Sequence, residues 1–143
     1  MDIYLQAAIE EAQKAVQEGG VPIGSVLVLD GKIVGRGHNR QRQLNSIIRH
    51  AEIVCIDNAS DLTTAEFQRT TLYTTLSPCD MCSGAILFFK IPRVIIAENQ
   101  NILGAEAYLR ARGVELVVLN DADCIRMLRE FDQAHPGVWN KGE

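Results

Sequence analysis

No apolar run in this 143-residue chain approaches the roughly 20 residues needed to cross a bilayer. Met1-Asp2-Ile3-Tyr4-Leu5 places no basic segment ahead of an apolar one, so the start of the chain does not read as an export signal. A cytoplasmic location is the expectation, and the four cysteines then read as reduced thiols or metal ligands rather than disulfides. Internal repeats, low-complexity tracts and linkers are missing too, which leaves residues 1–143 as one expected domain. Nor is there an excess of positive charge. The formal net charge is −4, which disfavours a broad nucleic-acid surface. Arg36, Arg40, Arg42 and Arg49 make one local basic cluster, read as a solvated loop or a subunit contact. What remains is ordinary globular composition, 47% hydrophobic and 22% charged, in a length that suits a real core.

Apolar residues Leu5, Ala8, Ile9, Ala12, Ala15 and Val16 recur at helical spacing over residues 2–18, with Glu10, Glu11, Lys14 and Gln17 on the other side. Gly19-Gly20 and Pro22 end that helix. Ile23 to Leu29 and Lys32 to Gly37 read as a hairpin about Asp30-Gly31. Residues 38–48 form a loop, and His50 to Asn58 a short helix. A loop or weak helical turn spans 59–69, and Thr71 to Thr75 is a strand. Pro78 suits the first turn of a helix over 79–90. The later half of this helix, Ala85 to Phe89, is apolar all round and needs cover on more than one side. A second copy of the chain is one such cover, hence an expected homodimer. Arg93 to Ala97 is a further strand, Leu103 to Arg112 a helix and Val114 to Leu119 an inner strand. Asp121 to Phe131 is a last helix with Ile125, Leu128 and Phe131 inward. Five strands interleaved with helices predict an α/β layered domain with a partly parallel sheet.

The chemistry centres on Ser77-Pro78-Cys79-Asp80-Met81-Cys82. A lone C-x-x-C serves redox pairs and zinc sites alike, and two ordinary core thiols also fit it. His50, upstream, would make a His-Cys-Cys set, which leaves a fourth zinc position open for water. Two thiolates cancel the charge of Zn²⁺, so the water benefits from an adjacent base, for which Glu52 is the candidate. His50 and Glu52 do not share a face of a regular helix. They reach one metal only if the helix starts irregularly. A structural zinc module is the non-enzymatic alternative. It would need a fourth protein ligand, and none stands out.

His50-Ala51-Glu52 followed by Pro78-Cys79-Asp80-Met81-Cys82 matches the H-x-E…P-C-x-x-C signature of the zinc deaminases. Glu18 to Gly24, Gly35-Arg36-Gly37-His38-Asn39 and Thr70 to Cys82 extend the likeness over nearly the whole chain, which resembles the fungal-type cytosine deaminases. The resemblance implies a three-layer α-β-α sandwich around a five-stranded mixed sheet. It also implies one zinc ion per chain on His50, Cys79 and Cys82, and zinc-activated hydroxide with Glu52 as proton shuttle. Asn39 and the Ala51 N–H would hold the ring carbonyl, and the Ser77 carbonyl would accept from the amine. Ile23 would pack on the ring, with Trp139 as a lid. The implied reaction is hydrolytic deamination of a free base, cytosine and 5-fluorocytosine first. Two departures bear on substrate. Ile102 stands where the family usually has an aromatic. Gly142 stands where the fungal enzymes place an aspartate, with Glu143 one residue later as a possible substitute. Creatinine, isocytosine, guanine and tRNA adenosine are therefore kept as alternative substrates. Cys55 and Cys124 read as core thiols.

Overall fold

Residues 2–139 are described by a computed structural model. They form five strands in one mixed sheet of order β2-β1-β3-β4-β5 with helices on both faces. α1 (Ile3–Gln17) is capped by the Asp2 carboxylate, which accepts from the Tyr4 N–H at 2.8 Å. Gly19, at φ +82°, lets the chain turn out of it. β1 (Gly24–Leu29) and β2 (Lys32–His38) are antiparallel. β3 (Thr71–Thr74) pairs antiparallel to β1, then β4 (Arg93–Ile96) and β5 (Glu115–Val118) add in parallel.

The alternation of side chains along the strands divides the core. Val26, Val28, Tyr73 and Ile95 face α1 and α7 (Ala122–Ala134). Leu27, Leu72, Val94 and Ile96 face the opposite layer of α3 (Ala51–Asp57), α5 (Asp80–Phe88) and α6 (Glu106–Ala111). Short helices α2 (Gln41–Leu44) and α4 (Thr64–Phe67) lie in the connections. Cys55 and Cys124 are buried in the two layers, and burial pushes both thiols up. Phe88, on the apolar part of α5, is 78% exposed. Among the described residues no helix is long and apolar enough to cross a membrane.

Several expectations need correction. β5 is an edge strand, not an inner one, and its residues are only partly buried. Its β-branched run packs on one face, and among the described residues no strand pairs with its outer edge. The last parallel crossover begins later than expected: residues 103–105 are irregular, and α6 starts at Glu106. Pro78 sits one residue before the cap of α5, and Cys79 is the cap. On α1, Val16 is exposed, whereas Glu11 is buried. Glu11 is drawn inward because it meets Lys14 at 2.8 Å, Arg36 at 3.0 Å and His38 at 3.0 Å. Burial by itself would raise the Glu11 carboxyl, but these bonds outweigh it and hold the group below its usual range. Arg36 is thus a tie between β2 and α1. Arg42 donates to the Gly19 carbonyl at 2.6 Å, and Arg49 pairs with Asp57 at 3.2 Å, so these three members of the basic cluster go to separate partners.

Gly37 sets the closeness of β2 and α3. A Cβ there would lie 2.4 Å from the Cys55 nitrogen and 2.8 Å from the Ala51 carbonyl oxygen. Only glycine lets α3, with Ala51 and Glu52 in its first turn, pack directly on the sheet.

Candidate active site

The site forms where α3 and α5 begin at the same end of the sheet. His50 caps α3 with extended backbone, φ −68° and ψ 158°. That non-helical residue is the irregular start the sequence required, and it frees His50 from the helix's side-chain spacing. Cys79 likewise caps α5, and its sulfur accepts from the Cys82 N–H at 3.5 Å. The His50 Nδ1 lies 3.4 Å from the Cys79 Sγ and 3.6 Å from the Cys82 Sγ. The three donor atoms all lie within 4.8 Å of one another, the one such convergence of possible metal ligands among the described residues.

One imidazole nitrogen with two sulfurs is a donor set that suits zinc, and three protein ligands leave one position open. Cys82 is fully buried and Cys79 partly exposed. The thiol–thiolate bond from Cys82, helped by His50 and the Cys82 N–H, holds Cys79 down to about 4. The same bond, with burial, pushes Cys82 up. Both cysteines must be thiolates to ligate a metal, so affinity falls as pH falls.

Glu52 follows in the first turn of α3 and is 4% exposed. Burial is the main cause that raises its carboxyl to about 7. The Cys79 charge adds to this, while its own backbone N–H and His50 oppose it. A carboxyl poised there can both take and return a proton near neutrality. The same shift has a consequence for stability. Native Glu52 keeps its proton to about pH 7, whereas the unfolded side chain releases it near 4.5. Between these values the native state binds more protons, so stability falls as pH rises. In zinc-stripped protein, Glu52→Gln should therefore gain on wild type between pH 4 and pH 8, by on the order of 3 kcal/mol. Urea unfolding of the two proteins across that range measures it. A constant difference would remove burial as the cause.

A cavity of about 330 Å³, its mouth included, lies against these groups. Ile23, Asn39, Ala51, Ser77, Ile102 and Trp139 line it together with His50, Glu52 and Cys79. Every described residue assigned to substrate from the sequence is thus at one cavity. Glu143 lies outside the described residues. Trp139 is 4% exposed and packs with Ile23, Val21 and Leu128, so the tail closes one side of the cavity. Ala51 is the first residue of α3, where an N–H has no carbonyl of its own helix to meet. Asn39 is buried. Its Nδ2 donates one hydrogen to the Gln41 Oε1 at 2.9 Å, and its Oδ1 accepts from the Gln41 N–H at 3.2 Å. Its second Nδ2 hydrogen meets no acceptor among the described residues.

Gln41, which holds the Asn39 side chain by two hydrogen bonds, was not expected from the sequence. Its signal was a polar residue two after an asparagine, the spacing at which an Asn side chain bonds the following backbone. Leu76, also at the cavity, gave no signal beyond ending a strand. Beside the cavity a wider groove runs past Gln41, Ile47, Met81 and Leu103 and shares His50, Cys79 and Ile102 with it.

Residues 2–98 match the family model described as the cytidine and deoxycytidylate deaminase zinc-binding region. The chain is 44% identical over 138 residues to the cytosine deaminase of Candida albicans, covering 96% of this chain and 92% of that protein. It is also 44% identical over 106 residues to a tRNA-specific adenosine deaminase of Streptococcus pyogenes serotype M18, covering 73% of this chain and 67% of the other. A solved structure from work on A-to-I editing by tRNA:A34 deaminases superposes with a TM-score of 0.75 at 30% identity, covering 90% of this chain and all of that one.

Proposed function

The chain belongs to the zinc-binding cytidine and deoxycytidylate deaminase family, and from that premise we propose that this zinc-dependent deaminase acts on a free nucleobase, cytosine to uracil and ammonia first among them. The observation that carries the reading is the cavity: it is small, walled by Ile23, Ile102 and the buried Trp139, and ends at Glu52 and the His-Cys-Cys set. Apolar walls with a few convergent polar groups at one end suit one flat heterocycle. The likeness to the Candida albicans cytosine deaminase, which runs over nearly the full length of both chains, supports the same substrate.

His50, Cys79 and Cys82 hold the zinc, which when bound supplies Lewis acidity at its open position. Glu52 accepts the proton that the attacking water gives up. It passes that proton to the ring nitrogen, then takes the second proton of the added hydroxyl and gives it to the amine, so that the C–N bond breaks, ammonia leaves and the ring carbon keeps the oxygen as a carbonyl. The second Asn39 Nδ2 hydrogen and the Ala51 N–H hold the ring carbonyl. The Ser77 carbonyl accepts from the amine. Ile23 and Ile102 pack on the ring, with Trp139 as a lid. A second copy of the chain covers the surface around Phe88, so light scattering should give twice the mass of one chain.

The test is ammonia release from cytosine, 5-fluorocytosine, isocytosine, creatinine, guanine, adenine and cytidine. Cytosine should give the highest kcat/KM. A tRNA reading has its own support in the wider groove at the cavity mouth and in the Streptococcus pyogenes relative. Inosine formation in a tRNA anticodon stem-loop, with no turnover of any base in the panel, would replace the proposal by that reading.

A further inference from the structure

Ser77 and Ile102 belong to different segments, yet one buried carboxylate ties them together. Glu106, in the first turn of α6, is 4% exposed. Its Oε2 accepts the Ser77 hydroxyl hydrogen at 2.6 Å, and the same hydroxyl oxygen accepts the Gly104 N–H at 2.9 Å. The Glu106 Oε1 accepts from Asn99 at 3.3 Å and lies 3.6 Å from Arg110. Gly104 lies so close to the turn that a Cβ there would be 2.0 Å from the Pro78 carbonyl oxygen.

The Ser77–Pro78 peptide carries the Ser77 carbonyl but, ending on proline, has no N–H by which it could be held. Its orientation has to be fixed from its flanks. The structure supplies such fixings on both sides. The Ser77 N–H donates to the Glu98 carbonyl at 2.9 Å, and the Pro78 carbonyl accepts from the Ala105 N–H at 3.0 Å and from the Ser83 hydroxyl at 3.3 Å. The Ser77 hydroxyl, held between Glu106 and Gly104, adds a further one. A carboxylate buried this far is costly to the fold unless it is fully engaged, and here its main engagement is with a residue of the cavity.

We propose that Glu106 is a positioning residue for the reaction. Through the Ser77 hydroxyl it locks the carbonyl that receives the substrate amine and the 102–104 segment that walls the ring into one unit. The proposal rests on the base-deaminase reading. It makes Glu106 a determinant of discrimination between an amine and an oxygen at the reacting carbon. A fixed carbonyl attracts the first and repels the second, so the deaminated product is bound weakly and released.

The experiment uses zinc-loaded wild type, Glu106→Ala, Glu106→Gln, Ser77→Ala and the double alanine variant. Zinc content and melting midpoint are measured beside kcat, KM and the product inhibition constant. Glu106→Ala should lose at least about tenfold in kcat/KM, and the ratio of product inhibition constant to KM should fall at least about threefold. Glutamine retains an acceptor oxygen and should stay within about threefold of wild type on both measures. The double variant should be no worse than the poorer single one. A folded, zinc-loaded Glu106→Ala with an unchanged ratio would overturn the proposal, and so would independent losses in the double variant or failure of glutamine to rescue. Should Glu106→Ala not fold, Ser77→Ala carries the same test, with the same expected fall and the same overturning result. Absence of ammonia release by wild type would sink the base-deaminase reading and this proposal with it. An active wild type with an unmoved ratio sinks only the proposal.

Discussion

Glu52→Gln should lose at least about 10³-fold in kcat while holding one zinc per chain. General acid–base groups contribute about 10²–10⁴-fold, and Glu52 is asked to serve more than one proton transfer. Glutamine keeps the size of the side chain and its hydrogen-bonding reach but cannot accept a proton and return it. The substitution spares His50, Cys79 and Cys82, whose donor atoms converge without Glu52. Metal content should thus be unchanged, by elemental analysis of dialysed protein. KM should move little, because Asn39, Ala51 and Ser77 still line the cavity. Retention of more than a tenth of wild-type turnover would remove Glu52 from the mechanism and require another base. Among the described residues at the cavity, His50 and Cys79 are the other titratable groups, and both belong to the metal set.

The parts of this site that were legible in sequence are those where one residue's chemistry is unusual for its position. Two cysteines three apart after a proline, with His50 and Glu52 upstream, are uncommon enough to carry a resemblance on their own. The layered fold was equally legible, because Val26, Leu27 and Val28 and the β4 run read as strand whichever side they face. What stayed hidden was relational. Val114 to Leu119 has the composition of an inner strand, but a strand's place in the sheet depends on which neighbours arrive, and among the described residues none pairs beyond β5. Gln41 and Glu106 are ordinary polar residues in sequence. They gain meaning only when folding places one against Asn39 and the other against Ser77. The convergence of His50 and Glu52 was conditional for the same reason. It turns on the extended backbone of His50 at the α3 cap, which no residue-type pattern specifies.

Cys82→Ala should abolish zinc retention and turnover together, with loss of activity of at least about 10⁴-fold. Two thiolates and one imidazole are what the site offers, and Cys82 is the fully buried one of the pair. With alanine there, one thiolate and one imidazole remain, too few to hold the ion against dialysis with a chelator. The fold should survive. The three apolar clusters are built on the sheet with α1, α3, α5, α6 and α7, and the sheet is laddered by backbone bonds that do not involve Cys82. Circular dichroism should therefore show native secondary structure in a zinc-free, inactive protein. Cys55→Ala is the matched control, a buried thiol whose sulfur lies 3.5 Å from the Gly35 carbonyl oxygen and away from the cavity. It should keep both zinc and turnover. This pair of variants separates a catalytic metal from a structural one. A structural zinc closes its coordination with protein ligands and supplies folding energy directly, so its loss unfolds the domain. Unfolding of Cys82→Ala, with Cys55→Ala intact, would mean that the ion holds the domain together. A folded and inactive Cys82→Ala means that the core stands without the metal and that the ion would serve the reaction rather than the fold.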